Sequence, residues 1–231
     1  MKIKYEHIIS LGFFCSVAIE LESIGRRDAS DPFDWVITDI NTVNTLLRNN
    51  FQHLFHEKLL SRNTMYPYVV EHKEYKFDFY HDFKQNVDIK LQVASVSEKY
   101  LNRIDRFFQR IQEPTLFIRY VENNEVDYWY NDANDLVNFM KSFNFKNEFI
   151  LIVNDDAAID LSKIIPGVIK VFCVEKDEND VVSRRFIKRN KALLDFISSI
   201  PYPTHRKINN YIRYYKKQFE ILFLKLQRHI G

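Results

Sequence analysis

The chain has 231 residues, a formal net charge of +2 and a hydrophobic share of 46%, which indicates a folded, core-forming protein. Its four glycines, at positions 12, 25, 167 and 231, exclude the phosphate-binding motifs G-x-G-x-x-G and G-x-x-x-x-G-K. Its two cysteines exclude a four-cysteine zinc site and a disulfide framework, and the balanced charge gives no reason to expect nucleic acid binding.

The chain opens with a strand and a helix. Residues 5–11 form an apolar run that predicts a short buried strand, and Gly12 ends it. Residues 15–24 carry apolar side chains at helical spacing, and Gly25 suits the C-terminal cap of that helix.

Less regular sequence follows. A second helix is expected over residues 39–49, with Asp39 as its N-terminal cap. Residues 51–65 are ambiguous. Residues 66–83 alternate aromatic and β-branched side chains and predict one or two strands, or a hairpin. Residues 97–112 are expected to form a helix.

The second half of the chain alternates strands with helices. Apolar runs predict strands at residues 115–121, 148–154 and 168–174, and helices are expected at 132–144 and near 158–165. This alternation indicates an α/β protein, with a mainly parallel central sheet flanked by helices in three layers. Cys173, inside the last apolar run, is expected to lie in the core.

The C-terminal part differs in charge. A helix over residues 180–199 is expected to end at Pro201 and Pro203. We divide the chain into an α/β domain, residues 1–200, and a basic amphipathic helical extension, residues 201–231. An apolar stripe follows coiled-coil-like spacing along this extension, at Ile208, Ile212, Tyr215, Phe219, Leu222 and Leu226. The stripe predicts packing onto the body or onto a second copy, or a peripheral contact of residues 205–230 with an anionic membrane.

Cys15 is the strongest candidate for a nucleophile. It is expected just after a strand and at the start of a helix, where free amides and partial positive charge favour a thiolate over a thiol. The same amides could bind an oxyanion, and Gly12 allows the tight turn that precedes them. The alternative is that Cys15 is a small buried residue at a packed helix start.

A cysteine nucleophile needs a base, and His81 is the best candidate. It closes the aromatic strand at the end of residues 66–83 and is followed by Asp82, which could orient it only if the strand ends or bulges there. The alternative is a surface histidine at a turn. His53 and His56 have a spacing that could hold a metal, but no third ligand is evident, so we expect no metal and no cofactor.

The loop PFDW at residues 32–35 is unusual. Trp35 is a large apolar anchor, and Asp34 beside it is expected either to bind the backbone, Arg26 or Arg27, or to reach the Cys15 site. Arg103 and Arg119 also lie inside apolar stretches. Arg119 needs either a carboxylate partner or an anionic ligand.

Together these residues resemble a known family. The patterns SLG-x-x-C-x-V-A-x-x-L and G-x-R-x-x-S-x-PFDW, with weaker similarity near HDF at 81–83, Arg103 and LFIR at 116–119, are similar to a bacterial family of unknown function described as putative papain-like cysteine peptidases (DUF1796). The resemblance covers roughly residues 5–155. The matching N-terminal residues are Ser10, Leu11, Gly12, Cys15, Val17, Ala18, Leu21, Gly25, Arg27, Ser30, Pro32, Phe33, Asp34 and Trp35.

The resemblance implies a cysteine peptidase with Cys15 as nucleophile, His81 as general base and Asp82 or Asp34 as the orienting carboxylate. We expect the substrate to be bound near Gly12, Arg27, Trp35 and Arg119. The β-α alternation differs from a papain fold, so two other functions stay open. These are an acyl- or glycosyl-type transferase of surface polysaccharide metabolism and a non-catalytic binding module. The substrate would be a peptide, an acyl group or a carbohydrate.

The sequence also indicates a compartment. The N-terminus lacks the long apolar run of a signal peptide, and two separated cysteines suit a reducing environment. We expect a cytoplasmic protein, with any membrane contact at the inner surface and through the C-terminal extension.

Overall fold

The computed structural model describes residues 5–155, 160, 165–175 and 185–230, with side chains described as far as residue 220. The described strands are β1 (His7–Ser10), β2 (Val36–Thr38), β3 (Leu60–Arg62), β4 (Val70–His72), β5 (Phe77–Phe79), β6 (Thr115–Val121), β7 (Glu148–Asn154) and β8 (Val168–Val174). The described α-helices are α1 (Ser16–Ser23), α2 (Ile40–Arg48), α3 (Ile89–Arg110), α4 (Val126–Asn131), α5 (Ala133–Phe143), α6 (Phe186–Arg189), α7 (Lys191–Ser199) and α8 (Thr204–Ile230).

The central sheet is parallel, as the sequence predicts. Its strand order is β1-β6-β7-β8, and each neighbouring pair runs in the same direction. All seven residues of β6 are buried. A strand covered on both faces has no solvent side on which to place polar residues, which explains its almost continuous apolar sequence.

Helices cover both faces of this sheet, so the predicted three-layer arrangement is confirmed. On one face Ile118 and Ile150 belong to a core cluster with residues of α1, α6 and α7. On the other face Phe117 and Leu151 belong to a second cluster that includes residues of α2, α3 and α5. Alternate residues of one strand thus enter opposite cores.

A second, antiparallel sheet packs into the latter core. Its order is β2-β5-β4-β3, and β4 and β5 form the predicted hairpin, with Val70 opposite Phe79. The sequence did not predict β2 or β3. Each has three residues, which is too short for an alternating pattern to be recognised.

Two predicted helix ends are confirmed. Gly25 has φ +69°, its amide donates to the carbonyl of Glu22 at 3.1 Å, and the amide of Arg26 donates to that of Leu21 at 2.8 Å. These two bonds form a Schellman cap. Asp39 caps α2, because its carboxylate accepts from the amide of Thr42 at 2.7 Å.

Other boundaries differ from the prediction. Helix α3 begins at Ile89 rather than Ser97, because the Asp88 carboxylate caps it by accepting from the amide of Lys90. The helix predicted over residues 180–199 is divided in its described part, where α6 and α7 are separated at Asn190, and its predicted end is confirmed because α7 ends at Ser199. The helix predicted near residues 158–165 lies almost entirely outside the described residues.

The expectation that Cys173 lies in the core is wrong. In β8 the side chains of Phe172 and Val174 are buried, and Cys173 between them is exposed. β8 ends the row of strands in the parallel sheet, so its alternate residues need not be covered on both faces.

Helix α8 contacts the body through polar residues. Asn210 donates to the carbonyl of Gly25 at 3.3 Å, Arg213 donates to that of Arg27 at 2.6 Å, and the ammonium of Lys217 lies 3.6 Å from the Glu22 carboxylate. The stripe expected to pack is instead solvent-facing where side chains are described, at Ile208, Ile212, Tyr215 and Phe219. The prediction that the stripe packs onto the α/β domain is therefore wrong for these four residues, and Leu222 and Leu226 lie outside the described side chains.

No described helix is long and apolar enough to cross a membrane.

Candidate active site

Cys15 lies between β1 and α1. β1 ends at Ser10, and Cys15 is the N-cap residue of α1, with φ −69° and ψ −16°. Its side chain is partly exposed and is not in a disulfide. In the described part of the chain no side chain caps this helix end, and the first turn has no acidic residue. The amides of that turn therefore place partial positive charge beside the thiol.

The turn before Cys15 requires glycine. Gly12 has φ +84°, and the peptide bond from Gly12 to Phe13 is cis. A Cβ atom at this position would lie 3.0 Å from Nη1 of Arg119 and 3.3 Å from Cγ2 of Thr38. The absence of a side chain lets the loop pass directly over Arg119. A substrate contact by Gly12 stays a prediction.

Aromatic rings surround the loop that carries Cys15. The ring of Phe14 lies 5.3 Å from that of Tyr120 and 6.3 Å from that of Phe186. The hydroxyl of Tyr120 donates to Asn154, the last residue of β7. Cys15 therefore lies at the carboxyl edge of the parallel sheet, where α/β proteins commonly bind ligands.

Arg119 supports this loop from below. Its side chain is fully buried and forms an ion pair with Glu125. It also donates to the carbonyl of Leu11 at 2.7 Å and to that of Thr38 at 2.9 Å. Of the two alternatives predicted for Arg119, a carboxylate partner and an anionic ligand, the structure has the carboxylate. Its expected substrate contact is not among these interactions.

Asp34 is paired with Arg27, one of the two alternatives that the sequence left open. Its side chain is fully buried, and Oδ2 accepts from Nε of Arg27 at 2.9 Å and from the amide of Asp31 at 2.8 Å. Burial by itself lowers the pKa of Arg27, but the Asp34 carboxylate, together with the charges of Glu22 and Asp31, more than offsets this effect and holds that pKa above its ordinary value. These contacts attach the PFDW loop to Arg27 and to the backbone of Asp31.

Trp35 lies at the centre of a polar and aromatic cluster. The guanidinium of Arg27 lies 5.2 Å from its ring centroid and the ammonium of Lys217 lies 5.4 Å away. Its Nε1 donates to the hydroxyl of Ser30 at 3.3 Å. His81 packs edge-on against it, with ring centroids 6.0 Å apart.

Asp82 faces away from His81. Its carboxylate accepts from the hydroxyl of Tyr100 at 2.8 Å and pairs with Lys99, both on α3. Burial, with the charge of Asp82 next in effect, raises the pKa of Tyr100 well above its ordinary value, so the phenol keeps the proton that it donates. Among the described residues no hydrogen bond joins Asp82 to His81. Asp82 instead binds two residues of α3, Lys99 and Tyr100.

The structure brings His81 to Trp35 and brings Cys15 to a neighbouring region. The carbonyl of Phe13 accepts from the amide of Thr38 at 3.0 Å, and Thr38 ends β2, which directly follows Trp35, so Thr38 and Trp35 are about 10 Å apart in extended chain. Within the described part of the chain no contact joins His81 to Cys15. The pairing of His81 with Cys15 therefore stays a prediction.

A pocket beside His81 was missed by the sequence analysis. It has a volume of about 480 Å³, and it is lined by Ser30 and by Ser95, Glu98, Lys99, Asn102, Arg103 and Arg106 of α3. The available signal was the helical spacing of basic residues at positions 99, 103 and 106, on a helix that the sequence predicts.

Metal ligation has no candidate in the described ranges. No group of three or more His, Cys, Asp or Glu side chains there is arranged to hold a metal ion.

The fold and the position of Cys15 define the class of protein: a three-layer α/β protein with a cysteine at the carboxyl edge of its parallel sheet. The chain belongs to the family described as "Putative papain-like cysteine peptidase (DUF1796)", whose sequence model matches residues 6–156. The family name supports a cysteine peptidase in outline.

One relative of the chain is a viral protein. An uncharacterised protein of Acanthamoeba polyphaga mimivirus is 31% identical over 121 residues, which cover 43% of this chain and 54% of the viral protein. The chain thus spans about half the length of that relative. No solved structure matches the chain at a significant level.

Proposed function

We propose that the protein is a cysteine peptidase or related hydrolase that uses Cys15 as its nucleophile. The observation that carries this proposal is the position of Cys15 as the partly exposed N-cap of α1, at the carboxyl edge of the parallel sheet. A thiol at an uncapped helix start is biased toward the reactive thiolate. Family membership supports the same outline.

The proposed reaction has two steps. The Cys15 thiolate attacks the carbonyl carbon of the scissile bond, and the bond to the leaving amine breaks as an acyl-enzyme thioester forms. A protonated base gives its proton to that amine. Water then attacks the thioester and loses one proton to the base, and the bond to sulfur breaks, so that the Cys15 thiolate and the protonated base are restored and a carboxylic acid product leaves. The first amides of α1 would stabilise the oxyanion in both steps.

His81 is the general base in this proposal. It can serve Cys15 only if its ring leaves Trp35 or if bound substrate draws the two regions together, since their described contacts keep them apart. Asp34 holds Arg27 in place, and Arg27 lies over the ring of Trp35, against which substrate would lie. Gly12, Arg27 and Trp35 are the proposed surroundings of the substrate.

Thiol labelling tests this proposal with an internal control. Cys173 is exposed and lies on a strand, so it reports ordinary thiol reactivity in the same molecule. We expect iodoacetamide at neutral pH to modify Cys15 about tenfold faster than Cys173, as measured by peptide mass spectrometry. Equal or slower labelling of Cys15 would remove the activated nucleophile.

Activity measurements complete the test. On a panel of fluorogenic peptides and thioesters, Cys15→Ala should abolish turnover, whereas Cys173→Ala should retain it. His81→Gln should lower turnover by about 100-fold or more. Full activity in Cys15→Ala would contradict the role of Cys15 as nucleophile. Full activity in His81→Gln would contradict only the role of His81 as general base.

A further inference from the structure

The pocket on α3 contains an arginine, Arg103, that forms no ion pair with any described residue. Arg103 is only 8% exposed, and its guanidinium lies 4.7 Å from the ring centroid of Tyr100. Its Nη1 atom is buried and has no hydrogen-bond partner among the described residues. Buried charged groups are ordinarily paired and hydrogen-bonded, because an unsatisfied one is costly. The free donor of Arg103 therefore indicates a ligand.

A second arginine lines the same pocket. Arg106, one turn along α3, has a buried Nε atom that likewise lacks a partner in the described chain. Its Nη2 atom donates to the carbonyl of Ser30 at 2.5 Å, which ties the guanidinium to the opposite wall. Both guanidinium groups thus belong to residues that line one pocket, and the planar arginine side chain suits an anion with two or more oxygens.

The remaining charges of the pocket do not fill this role. Lys99 is paired with Asp82. Glu98 also lines the pocket, but its carboxylate forms no described ion pair with Arg103 or Arg106, and it lies on the exposed side. The volume of about 480 Å³ accommodates a small molecule.

We propose that the pocket binds an oxoanion, a carboxylate or a phosphoryl group, through Arg103 and Arg106. This site lies beside Trp35 and His81, since Ser30 bonds to both Arg106 and Trp35. It does not depend on Cys15, so it stands or falls separately from the proposed hydrolase.

Isothermal titration calorimetry of the full chain tests the site, with inorganic phosphate and succinate as separate probes at constant ionic strength. We expect saturable binding of at least one probe, and the stronger of the two identifies the preferred oxoanion. Arg103→Met and Arg106→Gln should each weaken that binding about tenfold or more.

Arg48→Gln is the matched control. It removes the same charge at an exposed position on α2, where Arg48 is associated with Asp135. This variant, like Cys15→Ala, should bind the anion as the wild type does. Circular dichroism verifies that Arg103→Met is folded, and half-exposed Arg106 provides an independent variant. The proposal is overturned if neither probe binds, or if Arg48→Gln weakens binding as much as the pocket variants do.

Discussion

Helix α3 carries two buried arginines, seven residues apart, in opposite electrostatic settings. Arg103 and Arg110 are 8% and 7% exposed. Arg110 donates to both carboxylate oxygens of Asp31, at 2.8 and 2.6 Å, and pairs with Asp28. Arg103 stacks on Tyr100 and leaves Nη1 free within the described structure. The two arginines are equally buried but have different roles. Arg110 stabilises the fold at the end of the helix, and Arg103, nearer its middle, is the proposed ligand-binding residue.

Asp28 illustrates the paired setting, because its carboxylate forms an ion pair with Arg110. Burial acts to raise its pKa, but a hydrogen bond with His7 and the charge of Arg110 outweigh burial and hold the pKa at about 2. A fully paired charge belongs to the fold, whereas an equally buried charge without a carboxylate in contact marks a place where a ligand can provide one.

The largest expected effect comes from removing the ion pairs of Arg110 at the C-terminal end of α3. Arg110→Met leaves the buried Asp31 carboxylate without its hydrogen-bonded cation and removes one partner of Asp28, so it should lower the free energy of unfolding by about 3–5 kcal/mol. Arg103→Met, measured by urea denaturation without added oxoanion, should change it by no more than about 1 kcal/mol. Similar losses in both variants would contradict the distinction between the two arginines.

Glu20, a buried carboxylate that forms no ion pair with a described residue, should show a pH dependence opposite to that of Asp28. Glu20 is 2% exposed and accepts from the amides of Ile187 and Lys188 at 3.2 and 2.9 Å. Burial raises its pKa to about 7, although these amides partly counteract that effect. The native state therefore binds the proton more tightly than the unfolded state does.

Stability from this protonation is present below about pH 4.5 and is lost as the pH rises toward 7, by roughly 2–3 kcal/mol. Glu20→Gln keeps one acceptor and removes the titration. Urea denaturation at pH 5 and pH 8 should show a smaller difference between the two pH values in this variant than in the wild type. An unchanged pH difference would show that Glu20 does not titrate in this range.

The smallest effect is expected on α8. Ile212 is 62% exposed on the apolar stripe, so Ile212→Ser should change the free energy of unfolding by no more than about 0.5 kcal/mol. Asn210 is 3% exposed and donates to Gly25, so Asn210→Ala should cost more, about 1 kcal/mol. Light scattering of the same samples tests for a second copy on the stripe. A loss above 1 kcal/mol in Ile212→Ser, with a fall in mass, would show that the stripe is covered.

Much of the parallel half of the fold was predictable because its signals are local. The apolar runs of β6, β7 and β8, the Gly25 cap and the Asp39 cap each depend on a few adjacent residues. The candidate nucleophile was predictable for the same reason, since a strand, a glycine and a helix around Cys15 are contiguous. Helix α3 was predicted only in part, because its first turns carry a weaker apolar pattern and its cap at Asp88 was not recognised.

The sequence by itself determined the α/β class, the central parallel strands and the position of Cys15 at a helix start. Only the tertiary structure decided which charges are paired. Asp31 and Arg110 are 79 positions apart, and Arg106 meets Ser30 across 76. It also decided that Cys173 is exposed and that α8 contacts the body through its polar side. Local patterns specify an element, but the partner of a buried charge comes from a distant segment that folding brings to it.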